Sequence, residues 1–423
     1  MSINIPIPNY LAVWACREKA YGRSERNMES SRKNKSLYLT QEIKSMLEMC
    51  AHGLLKPVTA LMNQHEYDMV NASGIYQGMS LPFPFILAPN GKKNLAVLKA
   101  AKQGDTLKLV CNGQVFGEIC VHEIFAIDKE SFFKKLMGGD LTSKKAKTLY
   151  DALGNYAISG SYALKQASYF ADMIYLIEQR KLMLHAKNIS AFMLQANPIH
   201  RVHERIIRIC YDTSDLLVLF IVKPHKDDDL LPFELRQKIL QLTIDNYFLA
   251  NRLLVIPLDD SYLFNGANHV ILNAIIVQNL GCTRFIIGRN HMGLSLFYES
   301  NQIHTIFDSL QGIRLDVQIL SEYVYCKQCG TIVSIISCPH GAHHHIHYHT
   351  KSMLELFNLG IPPPNILVRK EISAMILEWL YPNRFKKMEQ LYKGISPSNL
   401  LDEYGDKSFY SDFLSLYQAQ MVN

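Results

Sequence analysis

A chain of 423 residues is long enough for two or three domains, and 48% hydrophobic against 19% charged residues is the balance of a folded protein, not a disordered one. The formal net charge of +6 is too small and too dispersed for a nucleic-acid binder, though it suits anionic small molecules. No apolar run approaches the roughly 18 residues that cross a bilayer, so no membrane partner is expected.

The opening "MSINIPIPNY" lacks a signal-peptide pattern, and the nine cysteines are an odd, mostly isolated set that reads as reduced thiols. The expectation is a cytoplasmic protein; an effector secreted without a cleaved signal is the other address this pattern allows.

Residues 1–165 read as a β-rich domain. The basic "REKAYGRSERNMESSRKNKS" from Arg17 is an exposed loop, and "DTLKLVCNGQVFGEICVHEIFAI" is two β-branched runs joined at Asn112-Gly113, a hairpin signal. Residues 166–325 alternate differently. "ISAFMLQ" and "DLLVLFIVK" flank a helical pattern over 198–212, and "RLLVIPL" and "TRFIIGRN" flank "GANHVILNAIIVQNLG". Strand, helix, strand repeated twice is the pattern of a parallel α/β sheet. Residues 326–423 hold a Cys/His cluster and helices, with "GIPPPN" as a stiff joint.

"FMLQANPIHRVHERIIRIC", Phe192 to Cys210, carries the most chemistry. An apolar strand stops at Asn197-Pro198, where Asn197 can cap the next helix and Pro198 can occupy its first position. The helix N-terminus then offers free N–H groups to a phosphate at the end of the strand. His200 and His203, three apart, share a face and can donate hydrogen bonds to phosphoryl oxygens as charge builds during attack on phosphorus. Metal ligation by the pair is the competing reading, and two ordinary histidines on an amphipathic helix the plain one.

A second strand, "FIIGRNH", runs into Gly288-Arg289-Asn290-His291 and then Gly293. Glycine permits close approach of a ligand to the backbone, and Arg289 brings a fork of donors suited to phosphate or sulfate. His225 and the carboxylates Asp227, Asp228 and Asp229 follow the strand "LLVLFIV"; they read as a solvated acidic loop, with magnesium on nucleotide phosphates the alternative. Near the C-terminal end, Cys326-x2-Cys329, Cys338 and His340 supply three thiolates and an imidazole, a closed set for structural zinc. The fourth ligand stays open among His340, His343, His344 and His345.

At these residues the chain resembles the ATP sulfurylases. Asn197-Pro198-Ile199-His200-Arg201-Val202-His203-Glu204 is similar to their signature Gln-x-Arg-Asn-Pro-x-His-Arg-x-His-Glu. Gly288-Arg289-Asn290-His291-Met292-Gly293 is similar to their Gly-Arg-Asp-His-Ala-Gly. The likeness continues through "NLGCTRFIIG", "EYVYCKQCGTIVSIISCPHG" and "LGIPPPN". It implies a PUA-like β domain, a Rossmann-like parallel α/β nucleotidyltransferase domain and a small zinc-containing C-terminal domain. It further implies that ATP, with Mg2+, and sulfate give adenosine 5′-phosphosulfate and pyrophosphate by direct attack on the α-phosphorus, and that the protein is a homodimer. Asn197, His200, His203 and Arg289 are then the catalytic set. Gln195, Gly288, Asn290 and His291 join them around the nucleotide, and Ala196, Arg289 and Met292 line the acceptor pocket. No P-loop occurs, so no fused adenosine-phosphosulfate kinase is expected.

The departures cluster on the acceptor side. Leu194 and Ala196 stand where the family has Gln and the sulfate-holding Arg, Met292 replaces an alanine, and Asn290 an aspartate. In "YLFNGANHVILNA" only Gly266 survives of Met-Arg-Tyr-Ala-Gly-Pro-Arg-Glu. "YHTKSM" retains only Thr350 of Ser-Gly-Thr-x-x-Arg. A sulfurylase is the first reading; an adenylyltransferase with a larger, less anionic acceptor and a non-catalytic relative are the alternatives.

Overall fold

The computed structural model describes residues 35–137, 144–165, 169–194, 196–223, 231–259, 268–288 and 306–383. Every described element lies in one compact unit that begins at Ser36.

The first part runs β1 (Ser36–Tyr38), α1 (Gln41–Ala51), α2 (Gln64–Ser73), β2 (Ile75–Tyr76), β3 (Met79–Ser80), β4 (Leu87–Pro89), α3 (Lys92–Ala100), β5 (Thr106–Cys111), β6 (Gln114–Ala126), α4 (Lys129–Met137), α5 (Lys144–Ala152) and β7 (Leu153–Leu164). Five strands form a mixed sheet in the order β1-β5-β6-β7-β4. The β5–β6 hairpin turns at Asn112-Gly113 with φ of +49° and +77°, the two left-handed positions that a tight primed turn requires. Five helices accompany this sheet that strand patterning alone did not reveal. Two of them bury little: α2 only Tyr67 and Val70, and α3 only Asn94 and Leu98.

The second part runs α6 (Tyr169–Met183), β8 (Ile189–Leu194), α7 (Arg201–Thr213), β9 (Leu216–Lys223), α8 (Phe233–Tyr247), β10 (Leu253–Asp259), α9 (His269–Asn279), β11 (Arg284–Gly288) and β12 (Asp316–Leu320). Its sheet has the order β10-β9-β8-β11-β12, and every neighbouring pair is parallel. β8 is buried along its whole length and β9 at all but its last residue, so both read as continuous apolar runs, as strands covered on two faces must. Helix α9 is buried from His269 to Val277 and is enclosed by protein, which is why its sequence is apolar all round.

Counted in chain order, the strands of this sheet stand third, second, first, fourth, fifth. The order reverses between β8 and β11, and a doubly wound sheet holds its ligand in the crevice at that reversal, beyond the carboxyl ends of the strands. One hydrophobic cluster runs from Leu37 to Ile287 through both sheets. The Asn279 amide reinforces the join, donating to the carbonyls of Leu54 (2.9 Å) and Lys56 (3.0 Å).

The third part holds β13 (Tyr323–Cys326), β14 (Thr331–Ser334) and β15 (His345–Ile346) in an antiparallel sheet, followed by α10 (Thr350–Asn358) and α11 (Lys370–Leu380). Among the described residues no helix is long and apolar enough to cross a membrane.

Candidate active site

The residues that leave β8 make an irregular turn before α7 begins. Ala196 is almost wholly buried with φ +49°, and the Asn197–Pro198 peptide is cis. A non-glycine residue in the left-handed region is strained and persists only where surrounding structure holds it. Two sequence expectations are corrected here. Asn197 does not cap α7: its Oδ1 accepts the Leu231 N–H (2.9 Å) and so ties the start of α8 to the end of β8. Pro198 is not the first helical residue either. The helix begins at Arg201, because His200 keeps an extended backbone (φ −143°, ψ 172°) and is the N-cap.

This placement explains the spacing of the histidines. The backbone N–H of His200 donates to Nδ1 of His203 (3.2 Å), so the imidazole does what a glutamate does at the third position of a capping box. That bond assigns the tautomer. Nδ1 of a neutral His203 is the acceptor, and its proton sits on Nε2, a donor available to an anion. The two rings lie face to tilted face, with centroids 3.8 Å apart. Burial pushes the His203 imidazole down to about 4; burial, then the neighbouring His203, holds His200 well below its ordinary value. Both rings are therefore neutral near pH 7. His200 Nδ1 is buried and has no hydrogen-bond partner among the described residues.

The amide at the start of the helix is already used. Arg201 N–H donates to Leu367 O (2.9 Å), and Arg201 Nε to Asn365 O (3.3 Å), so the segment before α11 completes the end of α7. Glu204 sits on the same buried face as Ile207 and receives two bonds from Arg369, Nε to Oε1 and Nη2 to Oε2, each 2.7 Å. The Arg369 guanidinium also lies 3.3 Å from the centroid of the Tyr247 ring. Sequence reading did not find this clamp. The available signal was a glutamate on an apolar helix face, which demands a buried cation.

Strand β11 runs parallel to β8 with Ile286 opposite Phe192, so Gly288 and Leu194 end on the same side of the sheet. Among the described residues, a Cβ built on Gly288 would meet no atom within 4 Å. The predicted residues Gln195, Arg289, Asn290, His291 and Met292 lie outside the described residues, as do Gly266, His225, Asp227, Asp228 and Asp229.

The Cys/His cluster is assembled at the turn after β13. The ligand atoms of Cys326, Cys329, Cys338 and His340 all lie within 4.8 Å of one another. His340 Nδ1 is 3.5, 3.3 and 3.6 Å from the sulfurs of Cys326, Cys329 and Cys338, and the Cys329 and Cys338 sulfurs are 3.9 Å apart. Tetrahedral zinc bonds of about 2.3 Å to sulfur and about 2.1 Å to nitrogen give edges of about 3.8 Å and about 3.6 Å. The donor set therefore fits zinc in both chemistry and size. Of the histidines left open by the sequence, His340 is the one inside the set. His345 Nε2 lies 3.4 Å from the Cys338 sulfur, as an outer partner would.

A Rossmann-ordered sheet with paired neutral histidines at its reversal point places the protein in the class of α/β nucleotidyltransferases. Residues 177–379 match the ATP-sulfurylase family model and residues 15–166 the PUA-like domain model. Over those residues the chain is similar to the ATP-sulfurylase family, at low identity to its curated relatives. It is 27% identical to the sulfate adenylyltransferase of Chloroflexus aurantiacus (strain ATCC 29366 / DSM 635 / J-10-fl) over 351 residues, which cover 81% of this chain and 90% of that one. Over 183 residues it is 33% identical to the sulfate adenylyltransferase of Carboxydothermus hydrogenoformans, covering 43% of this chain and 48% of that one. Among solved structures, the hexameric APS kinase from Thiobacillus denitrificans shares the fold, with a TM-score of 0.59 at 15% identity. That match covers 86% of this chain and 64% of the other, so the chain spans under two thirds of that solved structure.

Proposed function

We propose that this protein is an ATP-dependent adenylyltransferase working at the β8–β11 crevice. It takes ATP as its Mg2+ complex, an acceptor oxygen attacks the α-phosphorus directly, and pyrophosphate leaves. The observation that carries this reading is the fixed tautomer of His203, whose Nε2–H is left free for an anion at the reversal point of the sheet. A preset donor that strengthens its bond as negative charge grows on a phosphoryl oxygen stabilises the transition state more than the ground state. His200, His203, Asn197 and Arg289 form the catalytic set in this reading. Asn197 acts by holding the β8 turn against α8. Gln195, Gly288, Asn290 and His291 complete the nucleotide site.

Sulfate is the acceptor that the curated relatives' name implies. A second reading, in which the acceptor is less anionic, is favoured by Ala196: a buried methyl on a strained backbone stands where the family signature has its sulfate-holding arginine. In both readings zinc held by Cys326, Cys329, Cys338 and His340 acts as a structural cross-link. The division into 1–165, 166–325 and 326–423, a cytoplasmic address and a homodimer belong to the same proposal. The test is incubation with α-labelled ATP, Mg2+ and a panel of acceptors. An adenylylated product and pyrophosphate support the reading, and ATP binding without any transfer favours a non-catalytic relative.

A further inference from the structure

Among the described residues, Arg236 is the largest side chain that is wholly buried, and it sits in the first turn of α8. Both circumstances oppose a cation. Burial strips its hydration, and the start of a helix carries the positive end of the dipole. A guanidinium kept there is held by what its donors bond.

Those donors close the connection between β9 and α8. Arg236 Nη1 donates to Val222 O (3.3 Å) near the end of β9, and Nε donates to Leu231 O (3.0 Å), two residues ahead of the helix. The Phe233 ring lies against the guanidinium, 5.3 Å from its carbon to the ring centroid. Leu231 is thereby fixed from two sides: its C=O accepts from Arg236 and its N–H donates to Asn197 Oδ1 (2.9 Å). Arg236, Leu231 and Asn197 are all buried, so water competes poorly for either bond.

The far end of this relay is the strained turn after β8. Ala196 has φ +49°, a conformation that persists only where neighbours hold it, and the Asn197 side chain is one such hold. His200 follows three residues on, with its backbone N–H bonded to His203 Nδ1. Ile199 between them is wholly buried, so in a close-packed interior the turn cannot shift without moving His200.

We propose that Arg236 is a positioning residue of the histidine site, acting through Leu231 and Asn197 on the turn that sets His200 and His203. The inference rests on the adenylyltransferase reading for its kinetic consequence and on the hydrogen bonds for its structural one. Its effect is to fix where the His203 Nε2–H points, and a displaced donor is a weaker one at the transition state.

The test uses the full chain as wild type, Arg236→Met, Arg236→Lys, Asn197→Ala and the double variant Arg236→Met/Asn197→Ala. One readout is the imidazole nitrogen resonances of His200 and His203, which report the tautomer. The other is kcat and KM for MgATP in pyrophosphate release, with sulfate, glycerol and L-serine as probes. Arg236→Met fills the space without donors, and Arg236→Lys keeps the charge but lacks the fork. Each should shift the His203 resonances toward a mixture of tautomers and lower kcat about ten- to a hundredfold, while KM for ATP stays level. Asn197→Ala should do the same, and the double variant should lose little more than either single one, because one relay is broken twice. Arg236→Lys replaces Arg236→Met should the latter not fold, and Asn197→Ala tests the relay from its other end. Wild-type histidine spectra in a folded variant, or kcat losses that add in the double variant, overturn the inference. No release by wild type with any probe, beside spectra that shift in the variants, overturns the adenylyltransferase reading and leaves the relay standing.

Discussion

Arg369 grips Glu204 through two 2.7 Å bonds across 165 residues of sequence, and so ties the segment ahead of α11 to the helix whose first turn carries His203. The pair is shielded on both sides: Glu204 is 4% exposed, and Tyr247 lies against the guanidinium. Removing one partner leaves the other charge buried and unpaired. Arg369→Gln and Glu204→Gln should each lower stability by about 3 kcal/mol, and the double variant should cost less than the sum of the two. Chemical denaturation of the four proteins measures the coupling. Simple additivity would show that the clamp contributes nothing as a pair.

The histidines make a pH prediction. Burial lowers the folded-state value of His203 to about 4, while an unfolded histidine titrates near 6.5. Below pH 6.5 the unfolded chain therefore binds a proton that the folded one refuses, and stability falls as pH drops from about 6.5 to about 4. Above 6.5 the contribution vanishes. His200 acts in the same direction. His203→Gln should flatten part of the decline in melting temperature between pH 7 and pH 5; an identical decline in the variant would place the titration elsewhere.

Zinc should copurify at about one equivalent per chain. Cys326→Ser, or chelation, should destabilise the β13–β15 region and, because Tyr348 lies just past β15, shift the ring resonances of His200. Metal-free protein with an unchanged melting temperature and an unchanged His200 spectrum would remove the zinc assignment.

The backbone at Ala196 can be probed directly. Its φ of +49° disfavours any residue with a Cβ, so Ala196→Gly should be neutral or stabilising by up to about 1 kcal/mol, unlike most buried substitutions. A loss of more than 1 kcal/mol would mean that the methyl packs against something essential.

How much of this was legible in the sequence follows from how local each signal is. β8, β9, β10 and β11 announce themselves as short apolar runs, and Asn112-Gly113 as a turn, because period and turn chemistry act over a few residues. His200 and His203 stood out by type and spacing. The reason for that spacing, an N-cap and its third-position partner, needed the helix start at Arg201, three residues later than Pro198 implied. The remainder is long-range. Nothing local pairs Glu204 with Arg369, Tyr348 with His200, or Asn197 with the amide of Leu231. Those contacts exist only once the sheet has set strand ends and the C-terminal segment side by side.

The central claim is that adenylyl transfer occurs at the first turn of α7, and one measurement bears on it most directly. Wild-type protein, His200→Asn and His203→Asn should be incubated with α-labelled ATP, Mg2+ and the acceptor panel, and both pyrophosphate and the labelled adenylyl product followed. The account predicts transfer in wild type and a loss of about a hundredfold or more in His203→Asn, since one preset donor to a transition-state oxygen is worth about 10²–10³ in rate. Transfer that persists at the wild-type rate in both variants would contradict it.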